Sequence, residues 1–129
     1  MIRVILDTNF LIYTAKEKMD YIEEIGRVLN EGFVPVVPKK VIEELNKLKN
    51  DYYKRVSLKD KMACDLALQL LEKNKVEVID PPGNSVDKAI INLAKENPKN
   101  VVATLDREMR KKIGRVILLN KGHRLILTK

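Results

Sequence analysis

Apolar positions along the chain fall into two alternating rhythms. Short runs of strand length, most of them rich in β-branched residues, occupy 4–6, 33–37, 76–79, 101–105 and 116–119. Between them lie stretches with helical spacing at 21–30, 41–48, 58–74, 86–97 and 107–113. This alternation predicts an α/β fold, because parallel neighbouring strands need a crossover connection and helices usually supply it. The expected architecture is a parallel sheet of about five strands covered by helices on both faces.

Local punctuation agrees with these elements. Pro38 suits the first turn of a helix, Ser57 and Ser85 are natural N-caps, and Gly114 can end the helix over 107–113. Pro81-Pro82-Gly83-Asn84 reads as a turn, and the charged stretch 50–56 reads as a linker between two helices. Neither looks like a domain boundary, and no repeat or low-complexity tract occurs. The expectation is therefore one domain over residues 1–129.

Composition narrows the class. Apolar residues form 45 % of the chain and charged ones 33 %, which fits a packed globular core and argues against disorder. The apolar runs are far shorter than the about 20 residues that a membrane span requires, so no membrane association is expected. The opening residues show no leader pattern, which places the protein in the cytoplasm as an expectation. Cys64, the single cysteine, excludes an internal disulfide and a cysteine zinc cluster, and reads as a small buried apolar residue. Charge is unevenly distributed. Residues 107–129 carry eight Lys or Arg against Glu108, a balance of +7 that equals the net charge of the whole chain. The first 106 residues are thus neutral overall, and the basic C-terminal block suggests a polyanionic partner.

The acids supply the candidate chemistry. Asp7 directly follows the first predicted strand and Asp106 follows the strand over 101–105, so both stand at strand ends where open α/β sheets bind ligands. Either alone could simply cap a helix. On the helix after Pro38 the apolar stripe spans about −20° to 100°, with Glu44 near about −60° and Glu43 near about 200°. Glu44 therefore borders the buried face while Glu43 faces water. Asp87 lies beside the stripe of the helix opened by Ser85, and its first-turn position also suits the helix dipole. Four clustered acids would repel one another without a counter-charge, and an all-oxygen ligand set suits Mg²⁺ or Mn²⁺ better than zinc. His123, the single histidine, gives a zinc site or a Ser-His-Asp system little to work with and reads as surface polarity.

Four sequence blocks resemble the PIN-domain nuclease family over nearly the whole chain. They are Leu6-Asp7-Thr8-Asn9, Val41-Ile42-Glu43-Glu44-Leu45, Asp87-Lys88-Ala89-Ile90 and Val102-Ala103-Thr104-Leu105-Asp106-Arg107. The last of these, with Lys111 and Gly122-His123-Arg124, is similar to the branch associated with ribosomal RNA processing, and VapC-type toxins are similar too. The sequence departs from the family where Ser85-Val86 replaces a further acid and where Leu105 replaces a polar residue.

The resemblance implies an α/β, three-layer doubly wound fold with a central, mostly parallel sheet of about five strands, and an endoribonuclease dependent on one or two Mg²⁺ or Mn²⁺ ions, with Asp7, Glu44, Asp87 and Asp106 as catalytic and metal-binding residues. Asn9 and Thr104 would orient those acids, and Arg107, Arg110, Lys111 and Lys112 would track the RNA backbone. A homodimer, an antitoxin and a ribosome-assembly factor stand as alternative partners beside RNA. Two rivals compete with catalysis: an inactive PIN-like RNA-binding scaffold, and a phosphatase or receiver-like protein with a nucleophilic Asp7.

Overall fold

The computed structural model describes residues 1–53, 55–120 and 124–128. His123, Lys121, Lys129 and most of the Gly122-His123-Arg124 block lie outside the described residues, as does Lys54 in the linker over 50–56.

In chain order the elements are β1 (Ile2–Leu6), α1 (Thr8–Lys16), α2 (Tyr21–Leu29), β2 (Phe33–Pro38), α3 (Lys39–Lys49) and α4 (Leu58–Lys73). There follow β3 (Glu77–Ile79), α5 (Val86–Lys95), β4 (Val101–Ala103), α6 (Arg107–Ile113), β5 (Val116–Leu119) and β6 (Leu125–Thr128). The sheet order is β3-β2-β1-β4-β5-β6. Its first five strands are parallel, and β6 runs antiparallel to β5 with Leu119 opposite Leu125. The fold is thus the expected α/β sheet, extended by an antiparallel edge strand.

Burial explains which strands are central. Val4, Ile5 and Leu6 of β1 and Val101, Val102 and Ala103 of β4 are all fully enclosed, so consecutive residues are covered on both faces. The connections from β1 to β2 and on to β3 run one way across the sheet, whereas those from β3 to β4 and on to β5 run the other way. Right-handed crossovers in opposite directions place their helices on opposite faces. The strand order consequently reverses between β1 and β4, and a crevice at the carboxyl ends of these strands is where such sheets take ligands.

Helix ends follow the capping signals. Ser57 Oγ accepts from the Asp60 amide and Ser85 Oγ from the Lys88 amide. Gly114, at a φ of 89°, closes α6. Pro38 ends β2 and also caps α3, without a side-chain bond because it has none to offer. The turn before α5 depends on Gly83, whose φ is 143°. A Cβ there would stand 2.6 Å from the Ala89 amide nitrogen, so glycine alone lets this turn lie against the helix that carries Asp87.

Two elements go beyond the sequence expectation. The segment Thr8-Asn9-Phe10-Leu11-Ile12-Tyr13-Thr14 is dense in β-branched and aromatic residues of modest helix propensity, yet it forms α1 because Phe10 and Leu11 are buried in the core. The four-residue β6 pairs with β5 through Val116, Ile117, Leu118 and Leu119. The strand expected over 101–105 stops at Ala103: the Thr104 amide still donates to the Ile117 carbonyl of β5 at 3.1 Å, but the Leu105 amide turns away from the sheet to Asn9 Oδ1. Among the described residues, no helix is long and apolar enough to cross a membrane.

Candidate active site

The site begins where β1 ends. The Asp7 amide donates to the Ala103 carbonyl at 3.0 Å, which carries the β1–β4 ladder one residue further and fixes the acid beside the end of β4. Asp7 also caps α1, with its Oδ1 accepting from the Thr8 amide at 2.7 Å. Its Oδ2 accepts from the Thr104 hydroxyl at 2.7 Å. The carboxylate is 4 % exposed. Burial is the main reason its pKa is pushed up to about 6; the Thr104 and Thr8 bonds pull against that rise, and the negative charges of Asp87 and Glu44 add to it. Asp87 and Glu44 each therefore lie within electrostatic reach of Asp7, although the three come from α5, α3 and β1.

Asp106 joins by a different route. Thr104 Oγ1 accepts from the Asp106 amide at 3.0 Å while donating to Asp7, so one buried hydroxyl holds the ends of β1 and β4 in register. The Asp106 carboxylate caps α6 by accepting from the Glu108 amide at 2.9 Å. Both acids that follow strands are therefore helix caps as well as members of the crevice. Asn9 Oδ1 accepts from the Leu105 amide at 3.0 Å and lies 3.3 Å from Thr104 Oγ1. Thr104 thus touches Asp7 and the Asp106 amide directly, whereas Asn9 meets Thr104 and the Leu105 amide.

The α3 projection agrees with the structure, since Glu44 is half-buried and Glu43 is exposed. Asp87 is exposed at the opening of α5, and Asp106 is half-buried. Thr8 adds a feature that the sequence does not announce. Its Oγ1 is buried and has no hydrogen-bond partner among the described residues. The only hint is its place inside the Asp7-Thr8-Asn9 block.

Arg107, Arg110, Lys111 and Lys112 are exposed along α6, directly after Asp106. The Arg107 guanidinium donates to the Leu119 carbonyl at 3.2 Å, and Lys111 faces Glu108 at 3.3 Å. The Lys111 pair is solvent-exposed and so is readily exchanged for a phosphate contact. Cys64 is fully buried, as its place among the apolar positions suggests.

The donor chemistry fits a hard cation. The acids offer oxygen alone, and among the described residues no opposite charge acts on the buried Asp7 and a buried hydroxyl beside it is unsatisfied. The cage is not closed in advance, however. Among the described residues, no group of three or more His, Cys, Asp or Glu side chains already stands arranged to hold a metal ion. Glu44 and Asp87, at the rim, would have to turn inward, which rotamer changes at half-buried and exposed positions permit.

Known proteins share this frame. The chain is 39 % identical over 113 residues to "Ribonuclease VapC4" of Methanocaldococcus jannaschii, covering 88 % of this chain and 83 % of that protein. It is 25 % identical to the human "rRNA-processing protein FCF1 homolog", covering 88 % of this chain but only 52 % of that longer protein. Among solved structures, the PIN domain endonuclease Utp24 superposes with a TM-score of 0.73 at 20 % identity, covering 97 % of this chain and 90 % of that one. VapBC2 from Rickettsia felis, solved with a DNA fragment from its promoter, gives 0.54 at 15 % identity, covering 88 % and 93 %. These two likenesses concern the fold alone. Residues 4–126 match the family described as "PIN like domain", and the chain belongs to that family.

Proposed function

We propose that this chain is a divalent-metal-dependent endoribonuclease that hydrolyses RNA phosphodiester bonds at Asp7, Glu44, Asp87 and Asp106, acting as one domain over residues 1–129 in the cytoplasm. The observation that carries the reading is Asp7. It is a buried carboxylate at the sheet's switch point, pushed up to about 6 by burial with a further push from Asp87 and Glu44, and still gripped by two hydrogen bonds. A stable fold has little use for such a charge unless a cation offsets it. The name of the VapC4 relative supports the choice of RNA.

In this reading Asp7 and Asp106 would hold Mg²⁺ or Mn²⁺, with Glu44 and Asp87 holding it directly or through water. When bound, one or two such ions lower the pKa of a coordinated water and offset charge on the phosphate oxygens. The chain's own groups prepare that chemistry. Thr104 holds Asp7 through Oδ2 and the Thr8 amide holds it through Oδ1, so the carboxylate cannot swing out of the crevice. Asn9 fastens the turn after β4 through the Leu105 amide and so keeps Asp106 opposite Asp7. Arg107, Arg110, Lys111 and Lys112 hold the RNA backbone alongside, since phosphate contacts position a strand without reading its sequence.

Incubating labelled RNA with the chain and Mn²⁺ tests this reading. We expect cleavage that stops on chelation with EDTA and returns when Mn²⁺ is restored in excess. RNA left intact across single-stranded and structured substrates would favour the inactive RNA-binding scaffold. Two settings fit the activity. Ribosomal RNA processing with an assembly factor is supported by the FCF1 likeness, and a toxin ribonuclease restrained by an antitoxin, active as a homodimer, is supported by the higher identity to VapC4. Growth arrest on expression would favour the toxin, and pre-ribosomal RNA defects on deletion would favour processing.

A further inference from the structure

The outer side of α4 carries apolar surface that the acids and the basic α6 do not account for. The helix turns Ala63, Cys64, Ala67 and Leu71 into the core. Met62 lies about 160° around the helix from Cys64, and Leu58 precedes Met62 by about one turn, so both point to solvent. They are 64 % and 73 % exposed. The same four-residue step continues through Leu66 and Leu70, which are half-buried. Two hollows follow this stripe. One, of about 460 Å³, lies between Leu58, Met62 and Ala15 of α1, and the other, of about 360 Å³, between Leu70 and Tyr21. They share Lys18 and Leu66, so one groove follows α4 from Leu58 to Asn74, a length of about 24 Å.

The rim of this groove is cationic. Lys16, Lys18, Lys59 and Lys73 line it, against Asp20 as the single carboxylate among the lining residues. Asp20 is occupied as the cap of α2, where it accepts from the Glu23 amide at 3.2 Å, and Lys16 is held by Asp60. Among the described residues Lys18, Lys59 and Lys73 form no salt bridge. An apolar floor inside a polar rim is the mark of a surface that another protein covers, because exposed side chains of this size gain by leaving water.

Charge and shape select the occupant. A second copy, itself at +7 and bearing the same lysines, is opposed by like-charge repulsion. An aliphatic floor of Leu and Met gives phosphates and sugars nothing to bond. A helix with an apolar stripe and acidic flanks complements both the floor and the rim, and a groove of this length takes about 16 residues of it. We propose that the groove between α1 and α4 docks an acidic amphipathic helix of a protein partner, its apolar face on Leu58, Met62, Leu66 and Leu70 and its carboxylates against Lys18, Lys59 and Lys73. None of Asp7, Glu44, Asp87 and Asp106 lines the groove, so a partner seated there leaves the acids open. The surface serves to deliver the chain and not to inhibit it. This inference goes beyond the nuclease reading and does not rest on it.

The test measures docking and cutting separately. The probe is a labelled helical peptide of about 16 residues with Leu at every third or fourth position and Glu on the flanks, beside the same peptide with Lys in place of Glu. Anisotropy is recorded for the parent, for the Leu58→Glu, Met62→Glu pair and for the Lys59→Glu, Lys73→Glu pair. All four side chains are exposed, so the variants should fold, which circular dichroism checks. We expect the parent to bind the acidic peptide about tenfold or more tightly than the basic one. The Leu58, Met62 pair should lose about tenfold or more in affinity, and the lysine reversal should shift the preference toward the basic peptide. A parent that binds neither peptide, a parent without preference, or equal binding by the parent and the Leu58, Met62 pair would each overturn the proposal. A parent that sediments as a dimer and becomes a monomer with Leu58→Glu, Met62→Glu would give the groove to a second copy and overturn it too. Cleavage in excess Mn²⁺ at saturating acidic peptide is scored independently: unchanged cleavage upholds a docking surface apart from the acids, and blocked cleavage overturns that separation. A chain that docks the peptide yet never cuts sinks the nuclease reading alone.

Discussion

Asp7→Asn is expected to give a chain that cuts no detectable RNA yet resists urea better than its parent. In the metal-free protein the Asp7 pKa stands at about 6 against an ordinary 3.8, and each unit corresponds to about 1.4 kcal/mol. The raised value means that the fold prefers the protonated acid. The stability that Asp7 itself contributes is therefore fully present below about pH 4, is lost as the pH climbs toward about 6, and is about 3 kcal/mol lower at pH 7. Asparagine removes the charge and can keep the bonds. Its carbonyl accepts from the Thr8 amide, its amino group donates to Thr104 Oγ1, and the Thr104 hydroxyl then donates to Asn9 Oδ1, already 3.3 Å away. Urea unfolding in EDTA from pH 4 to pH 7 should show the parent's stability falling while the variant's stays level. Identical profiles would contradict the account. Cleavage should fall by at least about 10²-fold, since even groups that only support metal ligands cost 10 to 100-fold when changed.

Thr104→Val should have the next largest effect, from a change that barely alters shape. Thr104 is fully buried, and its hydroxyl donates to Asp7 and accepts from the Asp106 amide. Valine fills the same volume but orphans that amide, at about 1–3 kcal/mol of stability. It also removes the strongest influence that holds the Asp7 pKa down, so that pKa should rise further and the pH at which activity appears should move upward. We expect kcat/KM to drop about 10 to 100-fold with this alkaline displacement of the pH profile, while Thr104→Ser, which keeps the hydroxyl, stays close to the parent. A valine variant indistinguishable from the serine variant would show that the bond does not matter to the site.

Much of this arrangement was legible from residue order because strands and acids are coupled in a parallel sheet. A buried strand ends where its apolar run ends, and the next polar residue falls at the carboxyl edge; Asp7 after Leu6 follows that logic. Helical projection separated Glu44 from Glu43 for a similar reason, since the stripe of Val41 and Leu45 fixes which side of α3 is covered. What periodicity could not show is long-range. α1 forms from residues with weak helix preference because tertiary burial of Phe10 and Leu11 overrides local propensity. β4 ends early because the Leu105 amide bonds to Asn9, a group 96 residues distant in sequence, instead of to a neighbouring strand. Neither the mutual distance of the acids nor the exposure of Asp87 follows from spacing, because each depends on how separate elements pack.

The basic block illustrates the same limit. Sequence places the cations of α6 next to Asp106, but only the structure shows Arg107 tied to the Leu119 carbonyl and Lys111 paired with Glu108. Those attachments leave α6 a positively charged flank of the crevice.

The central claim is that the four acids close on a hard cation, and anomalous diffraction from crystals soaked in Mn²⁺ tests it most directly. The account predicts a manganese peak at about 2.1 Å from an Asp7 oxygen and bonded to at least two of Glu44, Asp87 and Asp106, with Glu44 or Asp87 turned inward from its metal-free position. Manganese found only at surface sites away from Asp7, or no peak in the crevice at saturating concentration, would contradict it.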